Sequence, residues 1–364
     1  MKKKLFVLLM SCVLVFALTA CGGDTETEGE DTGLTAEDIK VGFVYIGSVD
    51  DEGWTNSHDD ARIELEETLG VETMYLENVA ENADCEKAIR DLIDQGCNVI
   101  FTTSFGFGDW TETVAADYPD IYFFHASGYK SAENFVNYFG RIYQARYLSG
   151  IAAGLKTESN QIGYVAAMPI AEVIRGINAF TLGVRSVNPD ATVEVVWTGV
   201  WGDAALEKAA AQELLNKGCD VLTQHQDTPA TQLAAEEDGA FCVGYHYPTP
   251  DVAPAAYLTA PVWNWAPYYI EQVQAIIDGT WTAENYWGSE VVKLDTLTDL
   301  NAEGAQAAID EAQAKLDSGE WDVFAGPIND QDGNVKIAEG VTMTDEELLS
   351  FDWFVEGVIG TISN

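Results

Sequence analysis

Three aromatic side chains, Trp54, Phe105 and Trp201, and one carboxylate, Asp227, fall just past short apolar runs, where the strands of a sheet would end. Tyr245 stands in the same relation to a further run. Gly106 follows Phe105, and His58 lies one helical turn beyond Trp54 on the same face. Asp51 opens the stretch Asp51-Glu52-Gly53-Trp54-Thr55. Aromatic faces with a few aimed donors and acceptors suit a flat, neutral, polarisable ring. Stacking supplies about 1–3 kcal/mol per platform, and a carboxylate adds charge-assisted bonds of roughly 1.5–3 kcal/mol each. That is chemistry of capture. For turnover the chain lacks a Gly-x-Ser-x-Gly elbow, a His-Glu-x-x-His pair, a phosphate-cradling glycine loop with a lysine, and a cysteine beside an evident base.

Each residue also has a plainer role open to it. Asp227 fits the cap of a helix beginning at Thr228-Pro229. His58 and Asp59 suit a helix start, and Trp263 and Trp265 suit packing at a crossover. His125, His225 and His246 stand at strand ends, so a metal site is geometrically open, but no paired ligand spacing supports one. No cofactor is expected.

The elements that must position these residues come in two copies. The run Ala88 to Ile100 is echoed by Ala210 to Leu222, 122 residues on, Gly96-Cys97 answering Gly218-Cys219. Val41-Gly42-Phe43-Val44 pairs with Ile162-Gly163-Tyr164-Val165, and Ile121 to Phe124 with Phe241 to Gly244, at nearly the same offset. In the first copy, strands at 39–46, 71–76, 98–102 and 121–125 alternate with helices at 55–69, 83–95 and 109–117. The second repeats the strands at 161–167, 193–198, 220–224 and 241–245. Alternation of this kind implies parallel sheets covered on both faces. Two such lobes leave a cleft between them, and ligands of open α/β sheets bind beyond the carboxyl ends of the strands.

The expected fold is therefore α/β, with two Rossmann-like lobes of parallel sheet joined by three crossovers, near residues 142, 263 and 290. Residues 39–142 with 264–290 make lobe 1, and 143–263 with 291–364 make lobe 2. The helix Trp265 to Asp278 returns to the first lobe, and a helix near 302–316 lies in the tail.

The N-terminus gives the location. Met1-Lys2-Lys3-Lys4, an apolar stretch from Leu5 to Ala20 and a small-residue ending form a secretory signal over residues 1–20. The stretch is short of the roughly 20 apolar residues a spanning helix needs. Leu18-Thr19-Ala20-Cys21 resembles a bacterial lipobox, which implies lipidation of Cys21 and attachment to the outer face of the cell membrane. Residues 21–38, mostly glycine, threonine and acids, read as a tether reaching roughly 20–25 Å. Loss of the signal takes the net charge from −42 to −45. That excludes nucleic acid and disfavours phosphorylated ligands, but leaves neutral ones unconstrained. Cys85, Cys97, Cys219 and Cys242 follow no disulfide or zinc spacing and read as free core thiols.

The lipobox, the duplication and the openings Gly42-Phe43-Val44-Tyr45-Ile46-Gly47 and Asp51-Glu52-Gly53-Trp54-Thr55 resemble the basic membrane lipoproteins. That family implies a type I periplasmic-binding-protein fold, a solute-binding role without catalysis, and the permease and ATPase subunits of an ABC importer as partners, with the binding protein itself a monomer. Gly-Trp-Thr-x-x-His-Asp at 53–59, Thr-Thr-Ser-Phe-Gly at 102–106 and Thr-Gln-His-x-Asp at 223–227 are similar to its purine-binding subgroup, as is Trp265-Ala266-Pro267-Tyr268-Tyr269. The resemblance implies a small neutral purine, base or nucleoside, as ligand, with Trp54, His58, Phe105, Gly106, Trp201, Asp227, Tyr245 and Asp51 around it. Two departures matter. Thr55 stands where nucleoside-binding relatives, with Asp-x-Ser-Phe-Asn, carry asparagine, and Gly244-Tyr245-His246-Tyr247 lacks the carboxylate that accepts sugar hydroxyls in relatives. The second favours a bare base, adenine first. A sugar receptor of the same fold and a sensory co-receptor are the alternatives.

Overall fold

The computed structural model describes residues 34–362. The signal segment, Cys21 and the tether as far as residue 33 lie outside the described residues. Residues 34–38, which the composition places at the end of the tether, differ from that expectation. Ala36–Asp38 make one 3-10 turn closed by Thr35 and Asp38, and Leu34 packs against the first lobe.

The first lobe runs β1 Lys40–Val44, α1 Trp54–Leu69, β2 Glu72–Leu76, α2 Ala83–Asp94, β3 Val99–Thr102, α3 Gly108–Asp117, β4 Tyr122–Ala126 and β5 Phe135–Gly140. Then α4 Ile142–Lys156 leads into the second lobe: β6 Gln161–Ala166, α5 Ala171–Val187, β7 Thr192–Trp197, α6 Ala204–Asn216, β8 Val221–His225, α7 Ala230–Asp238 and β9 Phe241–Val243. The chain returns through β10 Pro261–Trp263 to α8 Ala266–Ile277 and β11 Tyr286–Gly288. It leaves again through β12 Val292–Leu294 to α9 Ala305–Asp317, the hairpin β13 Ile328–Asn329 and β14 Val335–Ile337, the short α10 Asp345–Leu349, and β15 Val358–Ile359.

Both sheets are parallel throughout, in the orders β11-β5-β4-β3-β1-β2 and β15-β7-β6-β8-β9. Helices cover both faces, so the inner strands are apolar on both sides. Val41, Phe43 and Val44 have no exposed surface, nor do Val99, Ile100 and Phe101. Helix α2 shows how the outer layer attaches. Asn82 caps it by accepting the Asp84 amide, and Cys85, Ala88, Ile89 and Leu92 bury one stripe against the sheet. The repeated Gly-Cys pair has a geometric cause. Gly96 and Gly218 take left-handed φ of 95° and 98°, which turns each helix back into the sheet and buries the following cysteine.

The edges were not legible in the sequence. β11 joins the first sheet beside β5, and β15, near the C-terminus, joins the second beside β7. With α9 packed on α4, this places the tail on the second lobe. Strand order reverses around β1 in one sheet and around β6 in the other. Both switch points open toward the cleft, as the topological rule requires of a binding crevice.

Candidate ligand-binding site

The lobes meet closely on both sides of this cleft. A Cβ on Gly53 would stand 2.1 Å from the Asp227 carbonyl oxygen, so only glycine lets the start of α1 touch the second lobe. The Tyr247 hydroxyl donates to Asp60 at 2.9 Å, and the Ser127 hydroxyl donates to Glu172. Between these contacts lies a cavity of about 310 Å³, lined by Trp54, Ser104, Phe105 and Ser127 from lobe 1 and by Glu172, Trp201, His225, Asp227 and His246 from lobe 2. Past Ser127 and Glu172 it adjoins a wider recess of about 630 Å³ that reaches Arg175 and Trp287.

Of the eight residues expected around the ligand, four line this cavity: Trp54, Phe105, Trp201 and Asp227. Trp54 is held from behind. Its indole nitrogen donates to the Thr103 carbonyl at 2.6 Å, and its ring meets His58 edge-on at 4.3 Å. His58 in turn stacks on Trp265 at 4.9 Å and bonds the Tyr269 hydroxyl, which reaches Tyr138 at 2.9 Å. His58 therefore supports the ring and does not line the cavity. Asp51 does not line it either. Its carboxylate accepts the amides of Gly53, Thr55 and Asn56 at 2.8–2.9 Å and so fixes the helix start that carries Trp54.

Gly106 faces a neighbouring recess, its amide given to Glu81 at 2.7 Å. Tyr245 lies beneath the floor, sandwiched between His246, 3.6 Å between centroids, and the guanidinium of Arg146, 3.3 Å below its ring. Burial of that apolar ring under a polar imidazole explains why the second of two adjacent residues, not the first, reaches the cavity. Asp227 does not cap the following helix. That helix starts at Ala230 after Pro229, with no side-chain cap, which leaves the carboxylate to the cavity.

Five lining residues had been given no role in binding the purine: Ser104, Ser127 and Glu172, together with His225 and His246, which read from sequence only as strand-end histidines open to a metal. A signal was present for Ser127 and Glu172 as well. Ser127 follows β4 and Glu172 opens α5 after β6, so the strand-end rule reaches both once those ends are included. Among the described residues no group of three or more His, Cys, Asp or Glu side chains could hold a metal ion.

Electrostatics divide the polar rim. Burial, followed by the nearby charges of Asp51, Glu207, Glu172 and Glu81, pushes the Asp227 carboxyl well above its ordinary value. Burial would raise Glu172 as well. There, however, bonds from His225 and Ser127 and the charge of Arg175 outweigh it and hold the group below the usual carboxylate value. Burial, offset in part by the Glu172 bond, brings His225 down to about 4, so at neutral pH it gives Glu172 a hydrogen bond across 3.3 Å rather than a charge. Burial likewise keeps His246 neutral. The rim thus carries one ionised acid, one acid that resists ionising, and two neutral imidazoles, walled by three aromatic rings. A neutral acid can donate and accept at once. Nothing in this set is an activated nucleophile.

Residues 38–318 match the family model Bmp, described as PnrA-like ABC transporter substrate-binding proteins. The chain belongs to that family. Every residue that lines the cavity lies inside the matched segment. A purine-binding protein of Brucella abortus is 43% identical over 327 residues, 88% of this chain and 93% of that protein. A Haloferax volcanii protein, provisionally described as an ABC transporter glucose-binding protein, is 38% identical over 344 residues, 93% of this chain and 85% of its own. Among solved structures, a solute-binding protein of an ABC transporter system from Aeropyrum pernix superposes with a TM-score of 0.70 at 18% identity, over 85% of this chain and 97% of that one.

The fold is the type I periplasmic-binding-protein fold. As a Bmp substrate-binding protein the chain is a solute binder, with a small ligand, permease and ATPase partners and an extracytoplasmic location implied by its family. No helix among the described residues is long and apolar enough to cross a membrane.

Proposed function

We propose that this Bmp protein captures a free purine base, adenine first, in the inter-lobe cavity and delivers it to an ABC importer, working as a monomer anchored through a lipid on Cys21. The observation that carries the base over its nucleoside is the pair of acids on the rim, Asp227 and Glu172. Adenine offers donors on two edges, the exocyclic amine and the ring N9–H, one for each acid. In adenosine the sugar replaces the N9 proton, and the stretch 244–247 provides no carboxylate for its hydroxyls. Hydroxyls buried without partners cost about 1–3 kcal/mol each. The 43% identity to a purine-binding protein supports the ligand class.

Stacking and charge-assisted bonds, less the cost of immobilising a rigid ten-atom base, give an expected affinity of about 0.1–10 μM. Calorimetry with adenine, adenosine and glucose tests this. Adenine is expected to bind at least about tenfold tighter than adenosine, a difference of about 1.4 kcal/mol. The reverse order would restore the nucleoside, and glucose binding alone would move the protein to its glucose-binding relative's side.

A further inference from the structure

His246 is the lining residue whose chemistry the structure fixes most tightly. It follows β9 with a backbone φ of 70°, a left-handed conformation rare outside glycine that persists where the surroundings impose it. They do. Its amide donates to the Pro261 carbonyl at 3.0 Å, its carbonyl accepts the Trp263 amide at 3.1 Å, and the Trp263 indole nitrogen lies 2.8 Å from its Nδ1. An indole N–H only donates, so Nδ1 must be the bare, accepting nitrogen. The imidazole is 3% exposed and neutral, so its single ring proton sits on Nε2. His246 is a lining residue of the cavity, and its Nε2, buried and without a hydrogen-bond partner in the protein, stands 3.4 Å from Asp227 Oδ1.

We propose that His246 is the cavity's fixed hydrogen-bond donor and that Trp263 sets it, so that a ligand must present a ring acceptor beside a donor, the acceptor to His246 and the donor to Asp227. This rests on the purine reading of the cavity and adds the edge by which a purine is chosen. Trp263 is a positioning residue. It ends β10, at the crossover into α8, and stacks on Trp265 at 4.4 Å while meeting Trp54 edge-on at 5.7 Å. The bond that fixes the imidazole proton is therefore made by the connection about which the lobes are joined. An arrangement of the crossovers that drew the indole away would free the proton to move to Nδ1 and turn the cavity-facing nitrogen from donor to acceptor. Recognition of the ring and the set of the crossover are then one event.

The test uses the full chain. Adenine and its 1-, 3- and 7-deaza analogues, each with one ring nitrogen replaced by C–H, are titrated into the wild type, Trp263→Phe and His246→Phe. One analogue is expected to bind the wild type about tenfold or more weaker than adenine, as loss of one hydrogen bond to a buried donor predicts. In both variants that ratio should fall below about threefold. Phenylalanine at 263 keeps a ring in the stack, so a purely structural role would preserve the ratio.

Nitrogen-15 spectra of the four histidines, read without ligand, should show neutral His246 with its proton on Nε2 alone in the wild type and as a mixture of the Nε2–H and Nδ1–H tautomers in Trp263→Phe. Three analogues that bind the wild type as adenine does, or an Nδ1 proton in the wild type, would overturn the proposal. Failure of the wild type to bind any purine would sink the purine reading, and the spectra would still decide the tautomer.

Discussion

Glu207→Gln is expected to stabilise the chain by about 3 kcal/mol at pH 8 and by less than about 1 kcal/mol at pH 5. Glu207 lies on α6 with no exposed surface, and burial first of all brings its carboxyl up to about 7. Its oxygens accept the Thr228 hydroxyl at 2.8 Å and the Asp203 amide at 3.1 Å, which limits the rise. Unfolded, the group titrates near its ordinary 4.5. Below that pH both states are protonated and the burial is free of penalty. As pH rises from about 4.5 to 7 the unfolded chain gives up this proton while the folded protein still holds it, so stability falls; above about 7 both states are ionised and the loss is complete. Each pH unit between the two values is worth about 1.4 kcal/mol. Glutamine keeps the shape and has no proton to lose. It can accept the Asp203 amide and donate to Thr228, so both bonds survive. Urea unfolding of the two proteins at pH 8 and pH 5 checks this. A difference that does not change with pH would mean that the substitution acts through packing alone.

The position of Glu207 gives the experiment a functional edge. Thr228 follows Asp227 directly, and the Glu207 charge is among those that push the Asp227 carboxyl up. Removing it should therefore ease ionisation of Asp227 as well as stabilise the loop that carries it.

What the sequence made legible follows from what sequence patterns measure. The apolar runs of 39–46, 98–102 and 161–167 became β1, β3 and β6 because strands buried on both faces carry an almost continuous apolar signature. The helix of 83–95 was legible because α2 buries one clean stripe. β11 and β15 were not, since two- and three-residue edge strands leave no period to detect, and what makes them strands is the neighbour they join.

The site divides the same way. Trp54, Phe105, Trp201 and Asp227 came from one rule, that strand ends face the cleft. That rule fixes a loop but not which residue of the loop points inward. Tyr245 and His246 are adjacent, and the choice between them depends on Arg146, which lies in α4, 99 residues before Tyr245, and on the left-handed backbone at His246. His58 was legible as a neighbour of Trp54 but not as its support, because Trp265 and Tyr269, the rings that hold it, come from the far end of the chain.

Trp54 and Phe105 stand on the same cavity with opposite structural debts, and their alanine variants should separate binding from folding. Trp54 is 7% exposed and sits among His58, Phe139, His246, Trp263 and Trp265, with its indole nitrogen bonded to Thr103. Trp54→Ala should cost about 3–5 kcal/mol of stability, as large-to-small core changes do. It should also remove a stacking platform worth about 1–3 kcal/mol of adenine affinity. Phe105 is 37% exposed in a short turn after β3, so Phe105→Ala should cost under about 1 kcal/mol of stability while losing a similar share of affinity. Trp54→Phe keeps a ring but drops the Thr103 bond, and should fall between the wild type and Trp54→Ala on both scales. Thermal unfolding and calorimetry on the three variants give the two numbers for each. If Phe105→Ala bound adenine within about 0.3 kcal/mol of the wild type, the aromatic wall from lobe 1 would reduce to Trp54 alone. If Trp54→Ala did so while still folded, the cavity would not be the purine site, and adenine would have to be sought in the wider recess beside Arg175 and Trp287.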